Sequence, residues 1–177
     1  RDEETARIAV QAALTGHLVL STLHTNDAPS SITRMINIGI EPYLISAAVN
    51  TVLAQRLVRR ICEHCRRQAT TMPDAVLLEA YGVPPESVCE GAGCDHCRHT
   101  GYAGRLGIYE LLTINDTLRD LVTSNPSLTE LRRYCHTAGM RSMRQDGMAK
   151  VAQGRTTVEE ILRVTETEEL PTAAATG

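Results

Sequence analysis

The segment "LVLSTLHTND", Leu18 to Asp27, changes character halfway along its length. Its first half is mainly aliphatic, whereas hydroxyl, imidazole, amide and carboxylate groups crowd its second half. A short aliphatic run of this kind is typical of a central strand in an α/β sheet. Ligands of open α/β sheets bind beyond the carboxyl ends of the strands. The segment therefore predicts a strand that places Thr22 and His24 where a ligand would bind.

The residues after this strand predict an anion site, but they do not name the anion. Asn26 or Asp27 can cap the next helix, whose first turn tolerates Pro29. A helix N-terminus offers free backbone N–H groups and a positive dipole to a phosphate. Thr22 and His24 would add hydroxyl and imidazole donors. A lone histidine is nevertheless more often a surface or packing residue, so both interpretations stay open on these residues alone.

The flanking segments predict the helices and strands of a wound α/β domain. Asp2 can cap a helix that ends at Gly16, and a second helix ends at Gly39. Pro42 begins a short helix, and "TVLAQRLVRRI" follows as a strand. This order supplies too few strands for a finished sheet. We therefore expect residues 1–61 to be the C-terminal half of a domain whose N-terminal portion is missing.

The second half of the chain predicts a return strand followed by helices. "GYAGRLGIYELL" predicts a glycine-rich turn and a strand, and Ser127 with Glu130 forms a capping box. Gly139 ends that helix, and Thr157 begins the last one. We expect residues 101–164 to hold the return strand and a C-terminal helical subdomain. Residues 165–177 have no apolar period, which predicts a disordered tail.

Composition excludes several classes of function. The chain has 177 residues, of which 42% are hydrophobic, so it can form a core. Aromatic residues make up 3%, and the net charge is −3, so neither stacking nor charge favours a nucleic-acid partner. No apolar run approaches the roughly 20 residues of a membrane span. No signal peptide is visible, so we expect cysteines that stay reduced on the cytosolic side.

Two C-x-x-C pairs predict a metal site. "CEHC" spans Cys62 to Cys65, and "CDHC" spans Cys94 to Cys97. Two such pairs can complete a tetrahedral site with four thiolates. A redox pair is the main alternative, because each pair alone resembles a thiol-exchange motif. We predict structural zinc and a zinc-binding insertion over residues 62–100.

The remaining cysteines and nearby histidines are assigned no ligand role. Cys89 and Cys135 are interpreted as small hydrophobic residues. Four cysteines fill a tetrahedral shell, so His64, His96 and His99 are left out of it. A closed shell has no open position for catalysis, and we expect the metal to stabilise a subdomain too small to form its own core.

The sequence also resembles a known family. "RDEETARIAVQAALTGHLVLSTLHTNDA" resembles the stretch from the end of the Walker B motif through the His box of the secretion ATPases, the hexameric motors of type II secretion and type IV pilus assembly. The resemblance continues through "GIEPYLISAAVNTVLAQRLVRRIC", both cysteine pairs, "GYAGRLGIYELL" and "MRSMRQDGMAKVAQGRTTVEEILRVT". The cysteine pairs separate the chain from the pilus-retraction members. "RQDG" resembles the type II secretion protein E more than the pilus extension ATPase.

The resemblance implies a fold and a set of site residues. The fold is α/β, a partial RecA-like P-loop NTPase domain with a four-Cys zinc-binding insertion and a C-terminal helical bundle. Thr22 and His24 match positions near the γ-phosphate and are the predicted catalytic residues. Arg1 and Asp2 match the end of the motif that carries the catalytic glutamate, so these four residues are predicted to bind the nucleotide.

The resemblance further implies ATP and Mg²⁺ as cofactors of a longer protein. The sequence contains no G-x-x-x-x-G-K-[ST] loop, which supplies the main ligands of the phosphates. Phosphoryl transfer depends on positioning and charge from that loop, so we expect this chain alone to be inactive.

The implied partners are further copies of the chain and other components of a secretion machine. We expect a homo-hexamer that acts on an inner-membrane platform protein and on cytoplasmic-domain proteins, and that is cytoplasmic and peripheral to the bacterial inner membrane. A pilus extension ATPase is the alternative within the family. A non-enzymatic zinc-binding adaptor and a zinc-ribbon nucleic-acid binder are the alternatives from other classes.

Overall fold

The computed structural model describes residues 2–165, which fold into two compact units. The first unit contains residues 2–54 and 110–141, and the second contains residues 55–109 and 142–165. Each unit therefore joins two segments that are distant in sequence. The domain boundaries predicted at residues 61, 100 and 164 divide the chain into consecutive segments, and they stay predictions.

The described residues contain eight α-helices and four strands. The helices are α1 (Glu3–Leu14), α2 (Ala28–Asn37), α3 (Pro42–Ala48), α4 (Ala75–Ala80), α5 (Asp116–Thr123), α6 (Leu128–Thr137), α7 (Met143–Ala152) and α8 (Val158–Val164). The strands are β1 (Thr51–Ile61), β2 (Arg66–Gln68), β3 (Cys89–Gly91) and β4 (Tyr102–Thr113). The helices predicted from capping residues are confirmed, as is the strand "TVLAQRLVRRI".

The strand predicted at Leu18 is wrong for this chain. Residues 17–25 have no regular secondary structure. Leu18 and Leu20 are 88% and 87% exposed to solvent. The sheets within residues 2–165 are β1 with β4 and β2 with β3. A strand needs a hydrogen-bonded neighbour. The aliphatic pattern shows that the segment suits a strand, but no described segment pairs with it.

The two long strands form an antiparallel pair. The Ile114 N–H donates to the Asn50 carbonyl, which joins the end of β4 to the start of β1. The Cys62 N–H donates to the Gly101 carbonyl at the opposite end of the pair. The short strands β2 and β3 are also antiparallel, with Arg67 opposite Glu90.

The core of the first unit is aliphatic, as the lack of Trp and Phe requires. Helix α3 packs against α1, α2 and α5, and α2 also packs against α6. The core consists of buried side chains from these helices and from the end of β4: Val10, Ala28, Ile32, Ile40, Ile45, Leu112, Ile114, Leu118, Val122, Leu131 and Cys135.

The second unit has a core of its own around α7 and α8, which pack together. Ile108, Met148 and Ile161 are fully buried. A Cβ at Gly147 would lie 2.7 Å from Cδ1 of Ile161. Glycine weakens a helix by about 1 kcal/mol relative to alanine. The close packing of α7 against Ile161 therefore explains why Gly147 lies within this helix.

None of the helices within residues 2–165 is both long enough and apolar enough to cross a bilayer.

Candidate metal centre and candidate nucleotide site

The four paired cysteines converge in the second unit. Cys62 directly follows β1, Cys65 immediately precedes β2, and Cys94 and Cys97 bracket a short 3-10 turn. Their four sulfur atoms all lie within 4.8 Å of one another. The Sγ–Sγ distance is 3.9 Å from Cys62 to Cys94, and it is 3.8 Å from Cys97 to both Cys65 and Cys94. The predicted convergence of the two pairs is therefore observed.

These distances match those of a tetrahedral four-thiolate site. Sulfur atoms about 2.3 Å from a central ion lie about 3.8 Å apart at the corners of a tetrahedron. The three distances agree with that value to within about 0.1 Å. The cluster of possible ligands within residues 2–165 consists of the four cysteines. The four cysteines can therefore hold a metal ion without a histidine.

Backbone N–H groups prepare one of the sulfurs for ligation. Burial raises the pKa of Cys97, but hydrogen bonds from the N–H groups of Cys94 and Gly101 to its Sγ outweigh burial and lower the pKa to about 6. Burial and the neighbouring thiols raise the pKa of Cys65 to about 12. Adjacent thiolates repel one another unless a cation compensates them. Metal binding should therefore release protons from this cluster.

The backbone around the cluster is closely packed. A Cβ at Gly91 would lie 2.0 Å from the carbonyl oxygen of Gly101, so both chains can approach only because Gly91 lacks a side chain. Arg98 and His99 adopt left-handed conformations with φ of 53° and 60°, which turn the chain back after Cys97. The sulfur positions are thus set by a tight local backbone.

The histidines beside the cysteines make other contacts. The rings of His64 and His96 stack, with centroids 3.9 Å apart and planes inclined by 15°. Nε2 of His99 lies 3.1 Å from Oδ1 of Asp95. Cys89 donates to the Ser87 carbonyl at 3.4 Å and stays outside the cluster.

His24 borders an open cavity of about 280 Å³ in the first unit. Thr25 and Asn26 extend from the same loop, while Ser30, Thr33, Arg34 and Asn37 project from α2. The polar lining joins an imidazole, a guanidinium, hydroxyls and amides around one space. This combination of donors suits a phosphate group.

The structure separates the four predicted nucleotide residues. His24 lines the cavity, whereas Thr22 is exposed and is not among its lining residues. Oδ1 of Asp2 caps α1 by accepting the Thr5 N–H at 2.9 Å, and this hydrogen bond lowers the pKa of Asp2. Arg1 lies outside the described residues.

Arg34 carries the positive charge among the cavity residues that were not predicted from the sequence. It follows Ser30 by four positions, a spacing that places two side chains on the same face of a helix. Since both residues line the cavity with His24, helical spacing from the predicted cap could have identified Arg34.

Two acidic side chains hold the start of α2. Oδ1 of Asp27 accepts the Ser30 N–H at 2.7 Å. Oε1 of Glu110 accepts the Ala28 N–H at 2.8 Å. Glu110 is 5% exposed and lies between the buried residues Ile108 and Leu112 along β4. A charged residue on the buried side of a strand is the sequence signal for this contact.

Comparison with known proteins places the chain in a family. Residues 1–163 match the family described as "Type II/IV secretion system protein". The chain belongs to this family, as the resemblance predicted. It is 51% identical over 165 residues to the type II secretion system protein HxcR of Pseudomonas aeruginosa, covering 93% of this chain and 32% of that protein. It is 47% identical over 167 residues to the type IV pilus assembly ATPase PilB of Myxococcus xanthus, covering 92% of this chain and 29% of that protein.

Solved structures confirm the fold class. The pilus retraction motor PilT with bound ADP superposes with a TM-score of 0.63 at 25% identity, covering 94% of this chain and 38% of PilT. The ATPase DotB of Legionella pneumophila gives a TM-score of 0.61 at 20% identity, covering 93% and 36%, and this match concerns the fold alone. The chain spans about a third of the length of the relatives it matches.

Proposed function

We propose that this chain is one part of a hexameric secretion-motor ATPase that couples ATP hydrolysis to protein export by type II secretion. The observation that carries this proposal is the polar cavity in which His24 and Arg34 border one space. Family membership supports the same conclusion, because relatives of the chain are named ATPases of pilus assembly and of type II secretion. Since the chain spans only part of these relatives, ATP and Mg²⁺ are cofactors of the longer protein.

The cavity residues supply charge and hydrogen bonds to a terminal phosphate. His24 and Arg34 donate to oxygens on which negative charge is spread during phosphoryl transfer. Ser30 and Thr25 add hydroxyl groups near the same space. Thr22 lies in the same loop as His24, and Asp2 caps α1. The predicted roles of Thr22, Asp2 and Arg1 in nucleotide binding stay part of the proposal.

We propose zinc as the ion of the four-Cys cluster. All ligand positions are cysteine sulfurs, which bind zinc as thiolates, and their spacing suits zinc–sulfur bonds of about 2.3 Å. Because four thiolates complete the tetrahedron, the ion supplies stability and takes no part in hydrolysis. Cys62 and Cys97 anchor the adjoining ends of β1 and β4, so the ion would stabilise that junction.

The choice of secretion system rests on the segment "RQDG", which resembles the type II secretion protein E more than the pilus extension ATPase. Overall identity does not separate the two systems, because type II secretion proteins match at 46–51% and pilus assembly ATPases at 47%. We favour type II secretion, with an inner-membrane platform protein and cytoplasmic-domain proteins as partners at the cytoplasmic face. A type IV pilus assembly ATPase is the second candidate. Gene deletion separates the two, since the first predicts loss of exported proteins and the second predicts loss of pili.

The catalytic proposal is tested by ATP hydrolysis in the longer protein that carries this chain. Wild type should hydrolyse ATP with Mg²⁺, and His24→Ala should lower kcat by about 100-fold, as expected for a lost transition-state donor. His17→Ala is the matched control, because His17 is an exposed histidine outside the cavity. An unchanged kcat in His24→Ala would contradict the proposed role of His24. A wild-type protein without Mg²⁺-dependent hydrolysis would favour the adaptor function.

A further inference from the structure

The loop that carries His24 is connected to a helix more than a hundred residues away. Oδ2 of Asp27 accepts from Nε of Arg132 at 2.8 Å and from Nη2 of Arg132 at 2.5 Å. Arg132 lies on α6, which packs against α2. Asp27 therefore uses one carboxylate oxygen to cap α2 and the other to bind α6.

His24 depends on such contacts because its own ring makes none. Within residues 2–165, the His24 side chain forms no hydrogen bond or ion pair. Its loop also lacks strand pairing. The position of the imidazole is consequently set by the backbone on either side of it. On its C-terminal side that backbone is held three residues away, at Asp27.

The Asp27–Arg132 contact is well suited to transmit position. The Asp27 side chain is 19% exposed and the Arg132 side chain is 43% exposed. The partly buried carboxylate holds the loop, while the half-exposed guanidinium can be replaced without opening the core. Two of the three guanidinium nitrogens, Nε and Nη2, meet the single oxygen Oδ2 of Asp27, so a lysine ammonium can supply a positive charge to that oxygen.

We propose that Arg132 is a positioning residue, which holds His24 in place for ATP hydrolysis through Asp27. This inference rests on the proposed function of His24. It means that a displacement of α6 would change the position of the imidazole in the cavity. Arg132 itself is not among the residues that line that cavity.

The first measurement concerns position and needs no activity. Backbone ¹⁵N order parameters of His24 to Asp27 are compared in this chain between wild type, Arg132→Gln, Arg132→Lys and Arg133→Gln. Arg133 is the matched control, since it is an exposed arginine on the same helix. We expect Arg132→Gln to lower these order parameters by at least about 0.1, on a scale where rigid backbone gives about 0.85. Arg132→Lys and Arg133→Gln should leave them unchanged, and an unchanged value in Arg132→Gln would overturn the inference.

The second measurement follows ATP hydrolysis by the longer protein. Arg132→Gln should lower kcat about tenfold with KM within about twofold, and Arg132→Lys should restore kcat. Asp27→Asn keeps a helix-capping side chain but loses the charge, so it should reproduce the effect of Arg132→Gln. The double variant should be no worse than either single one, because both remove the same contact.

The outcomes separate the inference from the function on which it rests. If His24→Ala lowers kcat but Arg132→Gln and Asp27→Asn do not, Arg132 does not position His24 and the inference falls. If His24→Ala itself leaves kcat unchanged, the proposed role of His24 has failed. Arg132 would then hold a loop without catalytic function, and the inference falls with that role.

Discussion

The four-Cys cluster and the cavity beside His24, which we propose as a metal centre and as part of a nucleotide site, differ in how much of each site the chain supplies. The four cysteine sulfurs lie within 4.8 Å of one another, on a backbone held by Gly91 and Gly101. His24 and Arg34, by contrast, are exposed and border an open cavity. The first set supplies four sulfur atoms at the spacing of a tetrahedral shell, whereas the second borders an open space. The difference predicts that mutations in the metal centre affect stability and that mutations in the cavity affect activity.

Loss of one metal ligand should have the largest effect on the fold. Cys94→Ser should reduce bound zinc from one ion per chain to nearly none, since three thiolates leave the tetrahedron incomplete. Apparent binding energies of structural zinc reach about 10 kcal/mol or more, so the second unit should lose cooperative unfolding. Metal analysis and thermal denaturation measure both effects.

Cys89→Ser is the control for this substitution. Cys89 is a half-buried cysteine outside the cluster, so the variant should retain one zinc per chain. Equal zinc contents in Cys94→Ser and Cys89→Ser would contradict the assignment of the ligands.

The buried carboxylate of Glu160 should give the next largest effect. Its side chain is 2% exposed and accepts hydrogen bonds from the Arg59 N–H and from the guanidinium groups of Arg59 and Arg163. Burial raises the pKa of Glu160, but the contacts with Arg163 and Arg59 lower it from 4.5 to about 2. A shift of this size corresponds to about 3 kcal/mol of folding stability.

The sign of the pH dependence follows from the lowered pKa. The Glu160 contribution is fully present above about pH 4.5 and is lost as the pH falls toward about 2. Glu160→Gln should destabilise the chain by about 3 kcal/mol at pH 7 and flatten this acid limb. Glu159 is an exposed neighbour, so Glu159→Gln should change neither the free energy of unfolding at pH 7 nor its loss at low pH. Urea denaturation at several pH values measures both. Similar free energies of unfolding for the two variants would show that the contacts of Glu160 with Arg59 and Arg163 do not stabilise the fold.

Gly91→Ala should have a somewhat smaller effect, of about 2 kcal/mol. The new Cβ would meet the Gly101 carbonyl, so the backbone around the metal centre must move apart. Gly82→Ala is the control, because it has a φ of 61° but no atom within 4 Å of the new Cβ. It should cost about 1 kcal/mol from backbone strain alone. If Gly82→Ala proved the more damaging, the close approach at Gly91 would not matter.

His24→Ala should have the smallest effect on stability. The imidazole is exposed and makes no hydrogen bond within residues 2–165, so the free energy of unfolding should stay within about 0.5 kcal/mol of wild type. A loss above about 1 kcal/mol in urea denaturation would show that His24 belongs to the packing instead of the cavity.

Local patterns explain why some of the structure was predictable. The caps at Asp27, Ser127 and Thr157 each act within three residues, so the sequence shows both partners. The cysteine pairs act in the same way, because a C-x-x-C turn brings two sulfurs to one point. Resemblance supplied the family, which the match over residues 1–163 confirmed.

Contacts between distant segments were not predictable in this way. The aliphatic run at Leu18 suits a strand, but pairing depends on a neighbour that local pattern does not identify. Glu110 and Glu160 are charged residues that become buried because their partners, the Ala28 N–H and the Arg59 side chain, come from segments distant in sequence.

The contrast between a complete and an incomplete site is tested most directly by calorimetric titration of this 177-residue chain with zinc and with Mg–ATP. We predict tight binding of one zinc ion per chain, with release of protons, and no measurable binding of Mg–ATP at micromolar concentrations. Micromolar binding of Mg–ATP would mean that this chain forms a nucleotide site by itself. Failure to bind zinc would mean that the four-Cys cluster is not a metal centre. Either result would contradict the account.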